Sequence, residues 1–508
     1  MGVGGLSMFA EGFSQIMEPQ IMLLCLAGVI LGIFFGASPG MTSSMGIALI
    51  LPVTYGMDII HGMAILLGIY IGSISGGLIT AILINIPGTP ASVATTFDGH
   101  PMAERGEGGR AIRVGTLYSL LGGLFSLVIL FAISPVLAKW ALRFSYEEYF
   151  AIGVLSLTLI ASLSGGSVIK GAISALIGIL FTTVGMAPVD TVRRFTFGIR
   201  DLDAGFKLLP LMIGVYAVME VIKAADAASQ EKMTVLSYKS KGLGVSGKEF
   251  REQFRNFVVS AGIGTGIGIL PGLGAAISNL IAYSVSKNTS KHPEKYGTGC
   301  IDGLIASETA NNAVSGGAMI PLLTMGIPGD AGTAMLLAAF MLHGITPGPL
   351  LFSSHGQVIY AMFAILIVAN IMMFVVQLYG LPGFLKLLMI PRNILLPVVM
   401  VLASVGAFAM NNRVFDVWSI FMFALVGYGL SKFEFPPAPV VLGFVLGPII
   451  ELNFRRGMMS SYGNFAAFFA RPISGTVLVL TLLILAYQFL AGFRKKRDAK
   501  VQNGGNDV

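Results

Sequence analysis

Apolar positions along this chain gather into long runs, each of helix length, separated by short polar connectors. Ile21 to Phe35, Val114 to Ala138, Val358 to Tyr379 and Ile473 to Phe493 contain no Asp, Glu, Lys or Arg. Roughly 20 apolar residues in a helix cross about 30 Å of hydrocarbon, so these runs predict membrane helices. Their continuity excludes an outer-membrane barrel, whose strands alternate apolar and polar positions. The pattern predicts an all-α polytopic membrane protein with about 11–14 membrane segments.

Two apolar runs are interrupted by residues that weaken a helix: SGGLITAILINIPGT at Ser75 to Thr89 and SGGAMIPLLTMGIPGD at Ser315 to Asp330. Each is preceded by a second interruption, GASPG at Gly36 to Gly40 and GILPG at Gly268 to Gly272. The landmarks keep their order, with Pro39 and Pro271 separated by 232 positions and Pro87 and Pro328 by 241. Between Ser-Gly-Gly and Ile-Pro-Gly lie eight residues in the first copy, Leu78 to Asn85, and nine in the second, Ala318 to Gly326. Two ordered motif pairs at near-constant offset indicate an internal duplication.

Composition agrees with a membrane protein, at 55% hydrophobic, 11% charged and mean hydropathy +0.82. The net charge of +7 resides in Lys and Arg of the connecting loops, where membrane topology accounts for it and nucleic acid is not called for. Cys25 and Cys300 offer neither a disulfide framework nor metal-ligand spacing. The N-terminal MGVGGLSMFAEGFSQIM has no basic region and reads as a short amphipathic interfacial helix, not a cleaved leader.

The polar stretch Ala224 to Asn256 separates the halves. The expected organisation is a first transmembrane repeat at 1–225, a linker at 226–256, a second repeat at 257–456, an extra helix at 473–493 and a tail at 494–508. Lys232, Lys239, Lys241, Lys248, Arg251 and Arg255 in the linker, with Arg494, Lys495, Lys496, Arg497 and Lys500 in the tail, place both in the cytoplasm. No Lys or Arg precedes Arg105, so the N-terminus is expected outside. The resulting parity gives each repeat an odd number of crossings, and hence two repeats inserted upside down with respect to each other. Broken helices in inverted repeats, with irregular backbone sheltered from lipid, are the pattern of secondary transporters. One loop, Val189 to Lys207, runs against the scheme, since it carries Arg193, Arg194, Arg200 and Lys207 yet falls outside.

Three stretches carry a family likeness: GIFFGASPGMTSSMGIALILPVTYGMD, TTFDGHPMAERGEGGRA, and KHPEKYGTGCIDGLIASETANNAVSGGAMIPLLTMGIPGDAGTAMLLAAFMLHGITPGP. They resemble the large membrane subunit of tripartite tricarboxylate transporters, the TctA type, over almost the whole chain. The resemblance implies a bacterial inner-membrane permease, and the charge distribution then puts its N-terminus in the periplasm and its C-terminus in the cytoplasm. It also implies a small four-helix membrane subunit and a periplasmic solute-binding protein as partners. Family members import citrate and other carboxylates on an ion gradient. Consistent with that, no G-x-x-x-x-G-K-[ST] phosphate loop is present.

A carboxylate in a bilayer needs fixed donors, and a Pro-Gly break supplies free backbone N–H groups at a new helix N-terminus. The substrate-binding candidates are therefore Ser38, Pro39, Gly40, Thr42 and Ser43 at one break and Pro87, Gly88 and Thr89 at the next. Their second-repeat counterparts are Pro271, Gly272, Ser278 and Asn279, then Pro328 and Gly329. Glu308 is the strongest ionisable candidate, because a charge in an apolar helix marks an ion path or a structural partner. Asn311 and Asn312 share its helical face and Asp330 follows the last break, so these four form the candidate coupling-ion group. Their oxygens suit Na⁺, while a protonatable Glu308 alone suits H⁺; no other cofactor is expected. Asp330 reads equally as a cation ligand or a helix cap. Alternatives of another class are a channel, or an enzyme using Glu308 and Asp330 as an acid/base pair, for which no nucleophile or metal set is apparent.

Overall fold

The computed structural model describes residues 3–163, 167–226, 242, 244–387 and 392–503. Linker residues 227–241 and 243, with Lys232, Lys239 and Lys241, lie outside the described residues, as do the last five of the tail. The described chain is almost entirely helical. It begins with α1 (Val3–Ile16), α2 (Pro19–Ala37), α3 (Ser43–Ile50), α4 (Ile59–Ile84), α5 (Val93–Met102) and α6 (Gly108–Ala141). There follow α7 (Tyr146–Leu163), α8 (Val168–Thr182), a two-residue antiparallel ladder of β1 (Gly185–Met186) with β2 (Arg193–Arg194), and α9 (Arg200–Asp203). Next come α10 (Leu208–Met212) and α11 (Met219–Asp226), joined by a π-helical turn, then α12 (Gly247–Ile269), α13 (Gly274–Thr289), α14 (Ile301–Met325) and α15 (Ala331–Leu342). The chain closes with α16 (Leu351–Ser354), α17 (Gly356–Leu387), α18 (Arg392–Asn411), α19 (Val414–Lys432), α20 (Ala438–Ser460), α21 (Ala467–Ala470) and α22 (Pro472–Asn503).

Among the described residues, six helical segments are long and apolar enough to cross a membrane. Shorter apolar helices, such as Ser43–Thr54 and Ala331–Leu342, are the pieces left by the Pro-Gly breaks. The chain divides into two compact units, one of residues 1–142 with 207–429 and the other of 143–206 with 430–508.

In the first unit, α4 is apolar all round and buried all round, as expected for a helix at the centre of a bundle. It lies against α2 backbone to backbone. A Cβ added at Gly68 would stand 2.6 Å from the Cys25 carbonyl oxygen, and Gly72 and Gly76 meet the carbonyls of Val29 and Ile33 as closely. Small residues at helix contacts allow this approach in membranes. The α12–α14 pair repeats the arrangement, with Gly264 on the Ala310 carbonyl and Gly317 on that of Thr265. The N-terminal segment is helical but does not stand alone at an interface, because Gly12 of α1 abuts the backbone of Ala361 in α17.

In the second unit two arginines of the loop Val189 to Lys207 have acidic partners. Arg194 pairs with Glu451 at 2.5 Å, Arg193 with Asp203 at 3.4 Å, and Asp190 with Arg455 at 3.1 Å. In the same unit Glu147 and Glu148 are buried, and Arg471 reaches both, donating from Nε to Glu148 Oε1 at 2.7 Å. Arg471→Ala strands two buried carboxylates; discounted for the partial exposure of Arg471, the expected loss is about 1–2 kcal/mol by thermal unfolding in detergent. An unchanged unfolding temperature would mean that both carboxylates reach water without it.

Candidate functional site

Each repeat is broken twice, and the breaks are built from local chemistry. At 38–41, Pro39 presets φ, Gly40 takes φ +86°, and Met41 N donates to Ser38 O at 3.0 Å, a type II turn that ends α2. The Ser38 hydroxyl returns to Phe34 O at 2.8 Å, and Thr42 Oγ1 accepts from Met45 N at 3.2 Å to cap α3. At the matching break, Gly272 has φ +83° and donates its N–H to Gly329 O at 2.7 Å. The other two breaks begin with left-handed caps, Asn85 ending α4 and Gly326 ending α14.

The breaks within a repeat touch. Gly88 lies on the carbonyl of Gly36 and the Cα of Gly77; Gly329 lies on the carbonyl of Gly268 and the Cα of Ala318. These contacts fix the register of the duplication at an offset of 241 through α4 and α14, the separation of Pro87 and Pro328. Gly76-Gly77 therefore corresponds to Gly317-Ala318, and the two Ser-Gly-Gly motifs sit one residue out of step. The eight-against-nine spacing is a shifted motif rather than an inserted residue.

Breaks of different repeats also meet, reciprocally. Ala91 of the α4–α5 connector packs against the cluster of Ala275, Val314 and Ala318 and is reached by Asn279 of α13, and a Cβ at Gly332 of α15 would stand 3.3 Å from Ser43 Oγ of α3. By the two offsets these are the same pair with the repeats exchanged, which is the signature of a two-fold relation. The two junctions differ chemically. At the α3–α15 junction both helices are capped by their own side chains, Thr42 for α3 and Asp330 for α15. Asp330 Oδ1 accepts from Thr333 N at 2.7 Å and Oδ2 from Tyr70 OH at 3.2 Å. At the α5–α13 junction α13 has no side-chain cap, while the turn Pro90–Ser92 that runs into α5 is closed by a capping box of Thr89 and Ser92. There Asn279 Nδ2 donates to Ala91 O, Ser278 Oγ donates to Ala310 O at 3.2 Å, and Thr89 N donates to Ser92 Oγ at 3.4 Å.

Glu308 stands about two turns into α14, fully buried. Thr95 Oγ1 of α5 donates to its Oε1 and Ser119 Oγ of α6 to its Oε2, the latter at 3.0 Å. Among the described residues no basic group is paired with it. Asn311 donates through Nδ2 to Ile74 O at 3.2 Å, and Asn312 through Nδ2 to Glu308 O at 3.3 Å, so Asn312 spends its amide within its own helix. Next to this group Gln377 Oε1 of α17 accepts from Ser75 at 3.1 Å and Thr116 at 3.0 Å. Thr116 and Ser119 are one turn apart on α6, so the polar groups close a ring through α4, α6, α14 and α17.

Sequence reasoning singled out Glu308, Asn311 and Asp330, and missed Thr95, Ser119, Tyr70, Gln377 and Asp98. Thr116 and Ser119 left a signal, two hydroxyls at i, i+3 in an otherwise apolar run. Asp98 left none, since its role is set by a distant loop. Its Oδ1 accepts from Gly297 N at 2.9 Å, Gly299 N at 2.8 Å and Cys300 N at 2.7 Å. Arg105 holds the same loop by the carbonyls of Thr298 at 2.9 Å and Gly299 at 2.6 Å. Outside the membrane-spanning segments, the N–H and hydroxyl of Ser246 hold the Glu249 carboxyl below the usual range at the start of α12.

Fold and site together define a polytopic membrane protein whose duplicated, broken helices enclose an unpaired buried carboxylate. The chain belongs to the tripartite tricarboxylate transporter TctA family, whose model matches residues 22–442. It is 35% identical over 493 residues, covering 97% of this chain and 98% of the relative, to an uncharacterized 52.8 kDa protein in the TAR-I ttuC' 3' region of Agrobacterium vitis. A second protein of that organism, from the TAR-II ttuC' 3' region, is 38% identical over 235 residues, 46% of this chain and 97% of the relative. No solved structure matches the chain. The chain is thus a multi-pass membrane component of a tripartite tricarboxylate transporter, a system that has other subunits.

Proposed function

We propose that this chain is the permease of a binding-protein-dependent secondary transporter that imports tricarboxylates or related carboxylates by alternating access, driven by a gradient of Na⁺ or H⁺. It would work in the bacterial inner membrane with a small four-helix subunit and a periplasmic solute-binding protein, its N-terminus periplasmic and its C-terminus cytoplasmic. The two repeats, 1–225 and 257–456, would be inverted about the interface at which their breaks cross, with the linker and tail cytoplasmic.

The observation that carries the reading is the contrast between the two junctions. A helix N-terminus presents unbonded N–H groups and the positive end of the helix dipole, which together favour a carboxylate. At α13 those donors are not taken by a side-chain cap, with Ser278 and Asn279 further along the same helix and Thr89 across the junction, where Asn279 reaches the Ala91 carbonyl. At α3 and α15 Thr42 and Asp330 occupy the equivalent donors, and the charge of Asp330 disfavours a second anion. On this reading the substrate carboxylate binds at the α5–α13 junction, between Pro87-Gly88 and Pro271-Gly272. Pro39-Gly40 and Pro328-Gly329 shape the opposite junction. Glu308, next to the first of these, is the coupling group.

The test is uptake of labelled citrate and other carboxylates by vesicles holding the permease, its small subunit and the binding protein, with Na⁺ and H⁺ gradients imposed separately. Accumulation against a carboxylate gradient, driven by one of the ions, is expected. Equilibration without accumulation would indicate a channel and overturn the reading. Within that assay Asn279→Leu is expected to lower carboxylate affinity by about tenfold or more, the effect of a lost hydrogen bond to a charged group.

A further inference from the structure

Two turns of the second unit are built alike. At Thr196-Phe197-Gly198-Ile199 and at Ser461-Tyr462-Gly463-Asn464 an aromatic residue and a glycine occupy the centre, with φ of +50° and +78° in the first and +52° and +83° in the second. Ile199 N donates to Thr196 O at 2.8 Å and Asn464 N to Ser461 O at 3.0 Å, which closes both as turns of the I′ pattern. Such a turn favours Asn, Asp or Gly at its first central position, and a bulky side chain there is an outlier with a backbone cost. Packing inside the protein does not offset that cost. Tyr462 at 100% and Phe197 at 85% are the two most exposed large hydrophobic side chains among the described residues. Phe195, also left-handed at φ +51°, is exposed two residues before Phe197.

Both turns lie at one end of the unit. The first follows β2, whose hairpin is tied to the last three turns of α20 by the pairs Arg194–Glu451 and Asp190–Arg455. The second starts at the residue after α20 ends. Because α20 is long and apolar enough to cross a membrane, its end and the hairpin tied to it stand at the membrane surface. The hairpin also runs on from α8, whose exposed residues Ile169, Ile173, Leu176 and Leu180 recur at the spacing of one helical face. Exposed apolar surface of this extent on a membrane protein meets lipid, and the hairpin begins three residues past the end of α8, so the rings extend a surface already turned to acyl chains. Arg200, exposed just past Ile199, adds a guanidinium to the aromatic rings. That combination suits the boundary where rings sit at headgroup level and long cationic side chains reach phosphate.

We propose that the turns at 196–199 and 461–464 are phospholipid anchors, each holding its ring in the headgroup layer of the same leaflet and so fixing the height of this unit in the bilayer. The left-handed backbone is what turns the rings away from the protein and into that layer. The role holds for any solute the protein carries.

Trp140 and Trp418 are the only tryptophans of the chain and both are exposed, so Trp140→Phe with Trp418→Phe gives a dark background that keeps the fold. Phe197→Trp and Tyr462→Trp, each alone in that background, are reconstituted into phosphatidylcholine vesicles. Neither side chain is packed, so the larger ring displaces nothing. Emission is expected to be lost in vesicles brominated at the headgroup end of the acyl chain, largely kept in vesicles brominated at the methyl end, and shielded from iodide in the water. Emission indifferent to bromine and quenched by iodide overturns the anchor at that turn. Quenching by the methyl-end bromines alone overturns it as well, since the ring would then lie in the acyl core. Shielding from iodide that appears only when a solute-binding protein or a small membrane subunit is added would make the turn a protein contact instead and overturn the lipid assignment.

Discussion

Replacing Glu308 with Gln is expected to reduce ion-driven carboxylate uptake to background while leaving the protein as stable as before, or more so. The side chain keeps its shape and can still accept from Thr95 at one oxygen. Ser119 can turn its hydroxyl to accept from the new amide. What disappears is a buried charge without a basic partner, whose burial opposes folding. Function and stability should therefore move in different directions, which separates a coupling residue from a structural one. Uptake in vesicles and thermal unfolding in detergent, measured on the same preparation, check both halves. Retention of uptake with unchanged ion dependence would remove Glu308 from the mechanism. A large fall in unfolding temperature would make it a structural anchor instead.

Asp98→Ala should destabilise the fold more than Arg471→Ala does, by about 3–5 kcal/mol in thermal unfolding. One carboxylate oxygen collects three backbone N–H groups, from Gly297, Gly299 and Cys300, and the last two stand at the very start of α14. Bonds to a charged acceptor contribute more than neutral ones, and losing the acceptor leaves all three donors to find water. Because Asp98 belongs to the first repeat and the loop to the second, the carboxylate also acts as a cap supplied from across the molecule. Asp98→Asn keeps a neutral acceptor and should lose roughly half as much. A change below about 1 kcal/mol for Asp98→Ala would show that the loop donors are hydrated without it.

The membrane class, the duplication and the position of the breaks were legible in the sequence, because Pro and Gly act locally and apolar runs report their own length. The face shared by Glu308 and Asn311 was legible from helical spacing. What Thr42 and Asp330 do was not, because a hydroxyl or carboxylate after a Pro-Gly break reads alike as a cap or as a ligand. Only Met45 N on Thr42 and Thr333 N on Asp330 separate the two. Thr95, Ser119 and Asp98 were hidden for another reason: each acts on a residue more than a hundred positions away, and no local pattern encodes such a partner. The one-residue slip of Ser-Gly-Gly was hidden because small residues repeat often enough to match in two registers.

Where Gly32 meets Ile69 in one copy and Gly264 meets Ala310 in the other, and where Gly76 meets Ile33 and Gly317 meets Thr265, the contact admits no side chain and both copies keep glycine. The chemistry lies between them, where change was free. Leu67 stands where the other copy has Glu308, and Thr89 where it has Asp330. A symmetric ancestor built of two identical halves could carry the crossed breaks, but it would present the same group on both sides of its centre. The chain as it stands presents carboxylates at these two positions of one half and leucine and threonine in the other, an asymmetry that two identical halves could not have.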